Sequence, residues 1–377
     1  MLIEKLEYID GSWRLEKKNL DGIAPDIVFV FGKRLGIQDR VIYRGLRKLY
    51  PYADIVGCSS SGNIFNDRVS NASVIASAIY FEMGSVRISI RDFSEYEDQI
   101  KTSKELILAL PKDNLKHIFI LVDGLNINGS KLIEGANMVA PSSISITGGL
   151  AGDDENFIES IVMINGVAKS NRAIAVGFYG ESIKIRSGCF SGWSEFGILR
   201  KITKSKGNIV YEIDGKPALD LYKRYLGDYA KELPKSALNF PISIKRTRDD
   251  SRNIIRTVLG IDEKSKSLIF AGDVPVNYYA KLMKASVDGL IDGAMEASKQ
   301  IGDIDSKRAL GMVVSCVGRK LVLNQLVDEE LEAIKEVLGD SVDLVGFYSY
   351  GELAPFKNSN FCELHNQTMT ITLIYEK

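Results

Sequence analysis

The chain has 377 residues, 45% hydrophobic and 26% charged, a globular balance that excludes disordered and fibrous classes. At roughly 150 residues per domain it holds about two domains, each able to bury a core. The 48 basic and 49 acidic residues leave a net charge of -1, which argues against a dedicated nucleic-acid binder.

The opening Met1-Leu2-Ile3-Glu4-Lys5-Leu6 is broken by charges and lacks an apolar core of signal-peptide length. Apolar runs such as 118–122 are strand length, far short of the ~20 residues of a membrane helix. Cys58, Cys189, Cys316 and Cys362 are widely spaced without a C-x-x-C, and His117 and His365 leave little material for a zinc site. A cytoplasmic protein without a bound metal, membrane contact or nucleic-acid partner is the expectation.

In chain order, residues 26–31 form a buried-strand run closed by Gly32. Helical spacing follows over 38–50 (Val41, Ile42, Leu46, Leu49) until Pro51, and Ile55 and Val56 open another strand. The same order returns at 118–122, a helix near 130–140 stopped by Pro141, and 144–146. It returns again at 311–314, a helix at 327–338 stopped by Gly339, and 344–345. Residues 183–305 read differently. They carry alternating runs at 197–203 and 209–213, a turn at Asp214-Gly215, and a helix opened by Pro217 and ended by Gly227. Strands at 242–244, 254–259 and 268–271 come next, then a long amphipathic helix near 278–300 bearing Leu282, Met283, Val287, Leu290, Ile291 and Met295. Strand–helix–strand in series predicts an α/β fold. We expect pseudo-repeated units in mixed, partly parallel sheets, forming two closely packed domains over 1–200 and 201–377.

The strand ends match in detail. Asp54-Ile-Val-Gly-Cys-Ser-Ser-Ser-Gly-Asn-Ile64 aligns with Asp343-Leu-Val-Gly-Phe-Tyr-Ser-Tyr-Gly-Glu-Leu353. Upstream, Gly32-Lys33-Arg34-Leu35 mirrors Gly318-Arg319-Lys320-Leu321; downstream, Asn71-Ala-Ser mirrors Asn366-Gln-Thr. A looser middle copy, Ile146-Thr-Gly-Gly-Leu-Ala-Gly-Asp-Asp154, puts Gly152 opposite Gly62 and Gly351. The glycine-rich strand ends should lie on comparable edges.

These strings, with Ser191-Gly-Trp193, Asp214-Gly-Lys-Pro-Ala-Leu219, Tyr225-Leu-Gly227, Phe270-Ala-Gly-Asp273, Ser315-Cys-Val-Gly-Arg319 and Leu364-His-Asn-Gln-Thr368, resemble a FIST protein in both its N-terminal and C-terminal parts. FIST names a sensory domain of F-box and intracellular signal transduction proteins. The resemblance covers nearly the whole chain from about residue 25, with one departure: the first loop reads Gly62-Asn63 where the family continues Gly-Glu, as Gly351-Glu352 does. It implies a signal-input module that binds small ligands such as amino acids. A branch of the family implies an alternative, a haem-containing nitric-oxide sensor acting on a histidine kinase or a cyclic-dinucleotide enzyme.

Glycine-rich turns let backbone N–H groups approach a ligand, and serines suit a carboxylate or phosphate. In open α/β sheets ligands sit beyond the carboxyl ends of strands. The candidate ligand-binding residues are therefore Gly57, Cys58, Ser59, Ser60 and Gly62; Gly148, Gly149, Gly152 and Asp153; and Tyr348, Ser349, Tyr350, Gly351 and Glu352. Arg319, His365 and Asn366 are expected beside them. The competing reading is that the glycines only permit turns.

No G-x-S-x-G, G-x-G-x-x-G or phosphate loop is present, so no catalytic residue and no enzyme is expected. Cys58 as nucleophile with His365 as base stands against a small buried cysteine. Arg319 is either a bidentate carboxylate partner or a solvated strand-end arginine. Asp153 and Asp154 suit an amine, a helix cap or a hard cation. Tyr348, Tyr350 and Glu352 suggest an aromatic-walled pocket, although strand alternation would separate Phe347 and Ser349 from them. His365 contacts ligand, ligates haem iron or satisfies backbone groups. No cofactor is expected in the leading reading, and non-covalent haem b in the alternative. His117 and Trp193 read as structural.

Overall fold

A computed structural model describes residues 1–16, 18–94, 98–250, 253–356 and 359–377. Three parallel strand pairs organise it: Ile27–Gly32 with Asp54–Ser59, Leu115–Val122 with Ser145–Leu150, and Ala309–Cys316 with Val342–Ser349. Helices Arg40–Leu49, Gly129–Val139 and Val327–Leu338 lie in the three connections. Two of them start where the sequence offers a cap. The Asp39 side chain accepts from the Val41 N–H, and Asn128 accepts from those of Ser130 and Lys131.

The strand after each pair leaves its own sheet and joins the next. Asn63–Phe65 pairs with Val342–Ser349, Gly351–Pro355 with Ser145–Leu150, and Val162–Ile164 with Asp54–Ser59. Each unit then returns through an antiparallel strand beside its first one: Val74–Tyr80, Arg172–Tyr179 and Met369–Glu376. This cyclic exchange closes three mixed sheets into a ring. It also carries strands across the boundary expected near residue 200.

The buried runs have no polar alternation because each sheet is covered on both faces. Phe29 and Phe31 point into a shared central core, where Phe31 stacks on Phe347 at 4.8 Å and Phe29 meets Phe119 edge-on at 5.9 Å. Val28 and Val30 point outward beneath Ile42 and Leu46 of the first helix.

Glycine is required where the parallel strands approach most closely. Gly57, Gly148 and Gly346 lie in register with Val30, Ile120 and Val313. An added Cβ would sit 1.9, 2.0 and 1.8 Å from those residues' carbonyl oxygens. This register corrects two alignments read from the sequence. Gly152 is equivalent to Ser61 and Tyr350, one residue before Gly62 and Gly351. Gly32 lies opposite Ser315, while Gly318 belongs to the first turn of the helix Val317–Leu323. Matching glycines alone hid the shift, because strand pairing rather than identity sets equivalence.

Residues 194–284 form a separate antiparallel sheet with its own core around the helix Ala218–Leu226. The helix expected over 278–300 is shorter, Val287–Lys299, and Tyr279–Lys284 is a strand. Alternation buries Ala280 and Leu282 in the inserted core, and the Ser286 hydroxyl caps the helix through the Gly289 N–H. The strand expected over 254–259 breaks at Thr257 into Ile254–Arg256 and Val258–Asp262.

Candidate functional site

The three strand ends meet, and they bond first to one another. The Ser61 N–H donates to the Tyr348 carbonyl (2.8 Å), that of Gly152 to Ser59 (3.0 Å), and that of Tyr350 to Leu150 (3.1 Å). These backbone donors are therefore not free to cradle an anion. In the first loop Ser59 Oγ accepts from the Ile161 N–H at 3.0 Å, and Ser60 Oγ donates to Asn63 Oδ1 at 2.5 Å. Asn63 in turn donates to the Ala72 carbonyl. Gly62 packs against Tyr348 and Lys320, and Gly149 against Val314 and Phe347. Cys58 faces the central core, where burial pushes its thiol well above the usual range.

The third loop repeats the Ser60–Asn63 clamp with an acid. Glu352 accepts from the Ser349 hydroxyl (2.6 Å), the Thr368 N–H (3.1 Å) and the Thr368 hydroxyl (2.9 Å). Burial pushes its carboxyl up to about 7, against these hydrogen bonds and the Arg319 charge, which lower it. Asn63 occupies the equivalent position, where a neutral amide makes the same kind of bond.

Arg319 does not face a ligand cleft. Its Nε and Nη2 donate to Glu330 Oε2 at 3.0 and 2.7 Å, and Nη2 also reaches the Leu290 carbonyl at 2.8 Å. Its Nη1 donates to the Ser191 carbonyl. Both members of the ion pair are fully buried, and Tyr348 Oη donates to the same Glu330 carboxylate at 2.6 Å. The arginine holds both junctions of the inserted sheet, which begins after Gly192 and ends before Ser286.

The two aspartates diverge. Asp153 Oδ1 accepts from Arg34 Nε at 3.3 Å, whereas Asp154 Oδ1 lies 3.6 Å from Lys320 Nζ. Among the described residues no group of three histidine, cysteine or acidic side chains could hold a metal ion.

Both histidines are buried and hydrogen-bonded. The Nε2 of His365 is bonded to the Ala354 carbonyl at 3.0 Å, and burial lowers its pKa to about 4. Both ring nitrogens of His117 are held at 2.8 Å, by the Ser145 and Thr147 hydroxyls. Burial lowers this ring to about 3. The two hydroxyls leave no free nitrogen on His117, whereas no hydrogen bond among the described residues engages Nδ1 of His365.

One cleft opens between the strand ends and the inserted sheet. Tyr350, Cys316, Gly318, Gln367 and Phe157 line the ring side, and Thr257 and Leu238 face them, around a space of about 40 Å³. Tyr350 stacks on Phe157 at 4.6 Å and donates to the Asp154 carbonyl at 3.1 Å. Gln367 sits at a turn with φ +61°. A Cβ on residue 318 would lie 2.4 Å from its amide, so Gly318 makes room for that side chain. Burial pushes the Cys316 thiol up.

Six buried side-chain polar atoms among the described residues have no hydrogen-bond partner. Two of them, Thr257 Oγ1 and Gln367 Oε1, belong to residues that line this cleft, whereas both unpaired amide atoms of Asn366 lie outside the lining, beside Gly351. Buried polar groups are normally satisfied, so such a pair points to an absent partner. Of the expected residues, only Tyr350 lines the cleft; Asn366 packs against Gly351 outside it. Ser349 and Glu352 lie in the clamp, and Arg319, Tyr348 and the 57–62 loop pack elsewhere. Thr257, Gln367, Gly318 and Phe157 were missed. Gln367 had a signal, because it stands where the mirrored first copy has Ala72; Thr257 had none.

Comparison with known proteins follows the same extent. A FIST N domain model matches residues 26–216, and a FIST C domain model matches 218–355. An uncharacterized protein of Methanocaldococcus jannaschii is 24% identical over 394 residues, spanning 96% of this chain and 75% of that protein. A cyanuric acid hydrolase from A. caulinodans aligns over 100% of this chain and 98% of its own, with TM-score 0.38 and 5% identity.

Proposed function

The chain belongs to the FIST family of signal-transduction sensory domains, and we propose that it binds one small polar ligand in the cleft between its strand ends and inserted sheet. The pairing of Thr257 Oγ1 and Gln367 Oε1, both without partners on facing walls, carries this reading. The threonine hydroxyl can donate and accept, while Gln367 Oε1 only accepts. No charged side chain lines the cleft. That combination suits a ligand with both N–H donors and carboxyl or carbonyl acceptors and no net charge, such as a small amino acid or a similar metabolite. Because the space of about 40 Å³ holds little more than a water, binding requires the inserted sheet to move away from the strand ends.

The ligand is bound and not turned over. Cys316 is a neutral thiol, and no base is free beside it. Occupancy is reported to a separate signalling protein, which requires the ligand to favour one of two conformations. Among the described residues no helix is long and apolar enough to cross a membrane. All four cysteines are unpaired, which supports a reducing, cytoplasmic setting.

The test is thermal unfolding of the whole protein against a panel of amino acids and related metabolites. One compound should raise Tm with saturation and be recovered unchanged. Gln367→Ala, Thr257→Ala and Gly318→Ala, all folded, should abolish that rise. A stabilising ligand unaffected by all three would place the site elsewhere, and turnover of the ligand would make the protein an enzyme.

A further inference from the structure

Residues 33–48 carry six cations and one acid, Asp39. Two of the cations are engaged within the fold. Arg34 pairs with Asp153 and Glu159. Arg47 donates to the carbonyls of Tyr50, Pro51 and Ala53 and to Asn165 Oδ1. Asp39 is committed to the helix cap. Lys33, Arg40, Arg44 and Lys48 are left exposed, with no acidic partner among the described residues.

Arg40, Arg44 and Lys48 stand at i, i+4 and i+8, so they form one outward ridge of the helix Arg40–Leu49. Like charges at this spacing weaken a helix, and Arg40 lies at the positive end of the helix dipole. The arrangement is locally unfavourable, in a chain whose total charge is near zero. Val41, 67% exposed, lies on the same arc, and Leu49 and Tyr52 (87% exposed) flank its C-terminal end. A solvated face would interleave acids and omit large apolar groups.

We propose that this ridge is a docking surface for an acidic, amphipathic helix of a partner protein. Carboxylates would neutralise Arg40, Arg44 and Lys48, while apolar side chains cover Val41 and Tyr52. The chain's own Glu329, Glu332 and Glu336 form an exposed acidic ridge. Leu326, 43% exposed, is the large apolar residue beside it, and such a head-to-tail contact would propagate from copy to copy unless it closed into a ring. The surface is also connected to the cleft. Arg34, just ahead of the ridge, grips Asp153 and Glu159 at the two ends of the loop whose Phe157 stacks on Tyr350. The docking surface itself stands on charge and exposure, whatever fills the cleft.

The probe is a fluorescein-labelled peptide of about 20 residues, long enough to form a helix, with glutamates on one face and leucines on the other. Anisotropy titrations use the full chain. Wild type should bind the peptide, at least about tenfold more weakly once Arg40→Glu, Arg44→Glu and Lys48→Glu are combined. Added salt should weaken binding, and so should Val41→Ser with Tyr52→Ser at unchanged charge. A scrambled peptide of the same composition should bind at least about tenfold more weakly. If charge reversal disturbs folding, Arg40→Gln, Arg44→Gln and Lys48→Gln replace it, since glutamine keeps helix propensity. No binding, binding unchanged by the substitutions, or equal binding of the scrambled peptide would overturn the proposal. So would tighter binding of phosphatidylserine vesicles or duplex DNA through the same residues, or self-association that the substitutions abolish.

Discussion

Replacing Glu352 with glutamine removes a titrating group from a fully buried position while leaving its hydrogen bonds available. The glutamine oxygen can accept from the Thr368 N–H and hydroxyl. Its NH₂ can donate to Ser349 Oγ, which keeps the Ser315 carbonyl, 3.3 Å away, as its own acceptor. In the native protein burial moves the carboxyl from its ordinary 4.5 to about 7. The folded state therefore binds this proton more tightly than the unfolded chain does. Stability from this group is fully present below the unfolded value of 4.5 and is lost as pH rises through about 7. The displacement corresponds to about 3 kcal/mol over that window. Urea unfolding of wild type and Glu352→Gln at several pH values between about 4 and 8 measures it as a difference, so groups common to both proteins cancel. The stability of the variant relative to wild type should climb by about 3 kcal/mol from the acid to the alkaline end. A constant difference across the range would refute the reasoning, because Glu352 would then keep an ordinary affinity for its proton.

The two histidines have the opposite sign. Burial lowers both below the ordinary 6.5, to about 3 for His117 and about 4 for His365. Their stability is present above 6.5 and lost as pH falls toward those values. His365→Gln, which keeps a donor for the Ala354 carbonyl, should show a smaller loss between those limits in the same urea series. Glu330→Gln would strand the Arg319 charge in a fully buried site. It should cost about 3–5 kcal/mol, seen as a fall in Tm, whereas Tyr348→Phe should cost only about 1 kcal/mol. Gly346→Ala would place a methyl 1.8 Å from the Val313 carbonyl oxygen. It should cost about 3 kcal/mol or force the protein into inclusion bodies, while alanine at half-buried Gly339, where no atom lies within 4 Å of an added Cβ, should cost only the roughly 1–2 kcal/mol of its left-handed backbone (φ +77°) and remain soluble.

Much of the fold was legible in the residues. The runs at 26–31, 118–122 and 311–314 and the repeated Val-Gly strand ends each state a local preference that the packing keeps. The 278–300 segment failed because a strand and a helix in succession can both supply apolar residues at helical intervals; Ser286 was the cap that divided them. For the candidate site, Tyr350 was readable from the mirrored copies. Arg319 was misplaced because a strand-end arginine carries no mark of whether its partner is a ligand or Glu330, eleven residues further along.

What the amino-acid order determined by itself was the content of each unit: a strand buried on both faces, a crossover helix, and a second strand with a glycine where its neighbour comes closest. These follow from side-chain size, periodicity and backbone freedom over a few residues. Only the tertiary structure decided that Asn63–Phe65, Val162–Ile164 and Gly351–Pro355 each leave their own unit and complete another. The tertiary structure likewise brought Thr257 of the inserted sheet opposite Gln367 of the ring. Such contacts join residues about a hundred or more positions apart, where no local preference reaches. They are selected by the one arrangement that closes the sheet edges and buries Phe31 against Phe347.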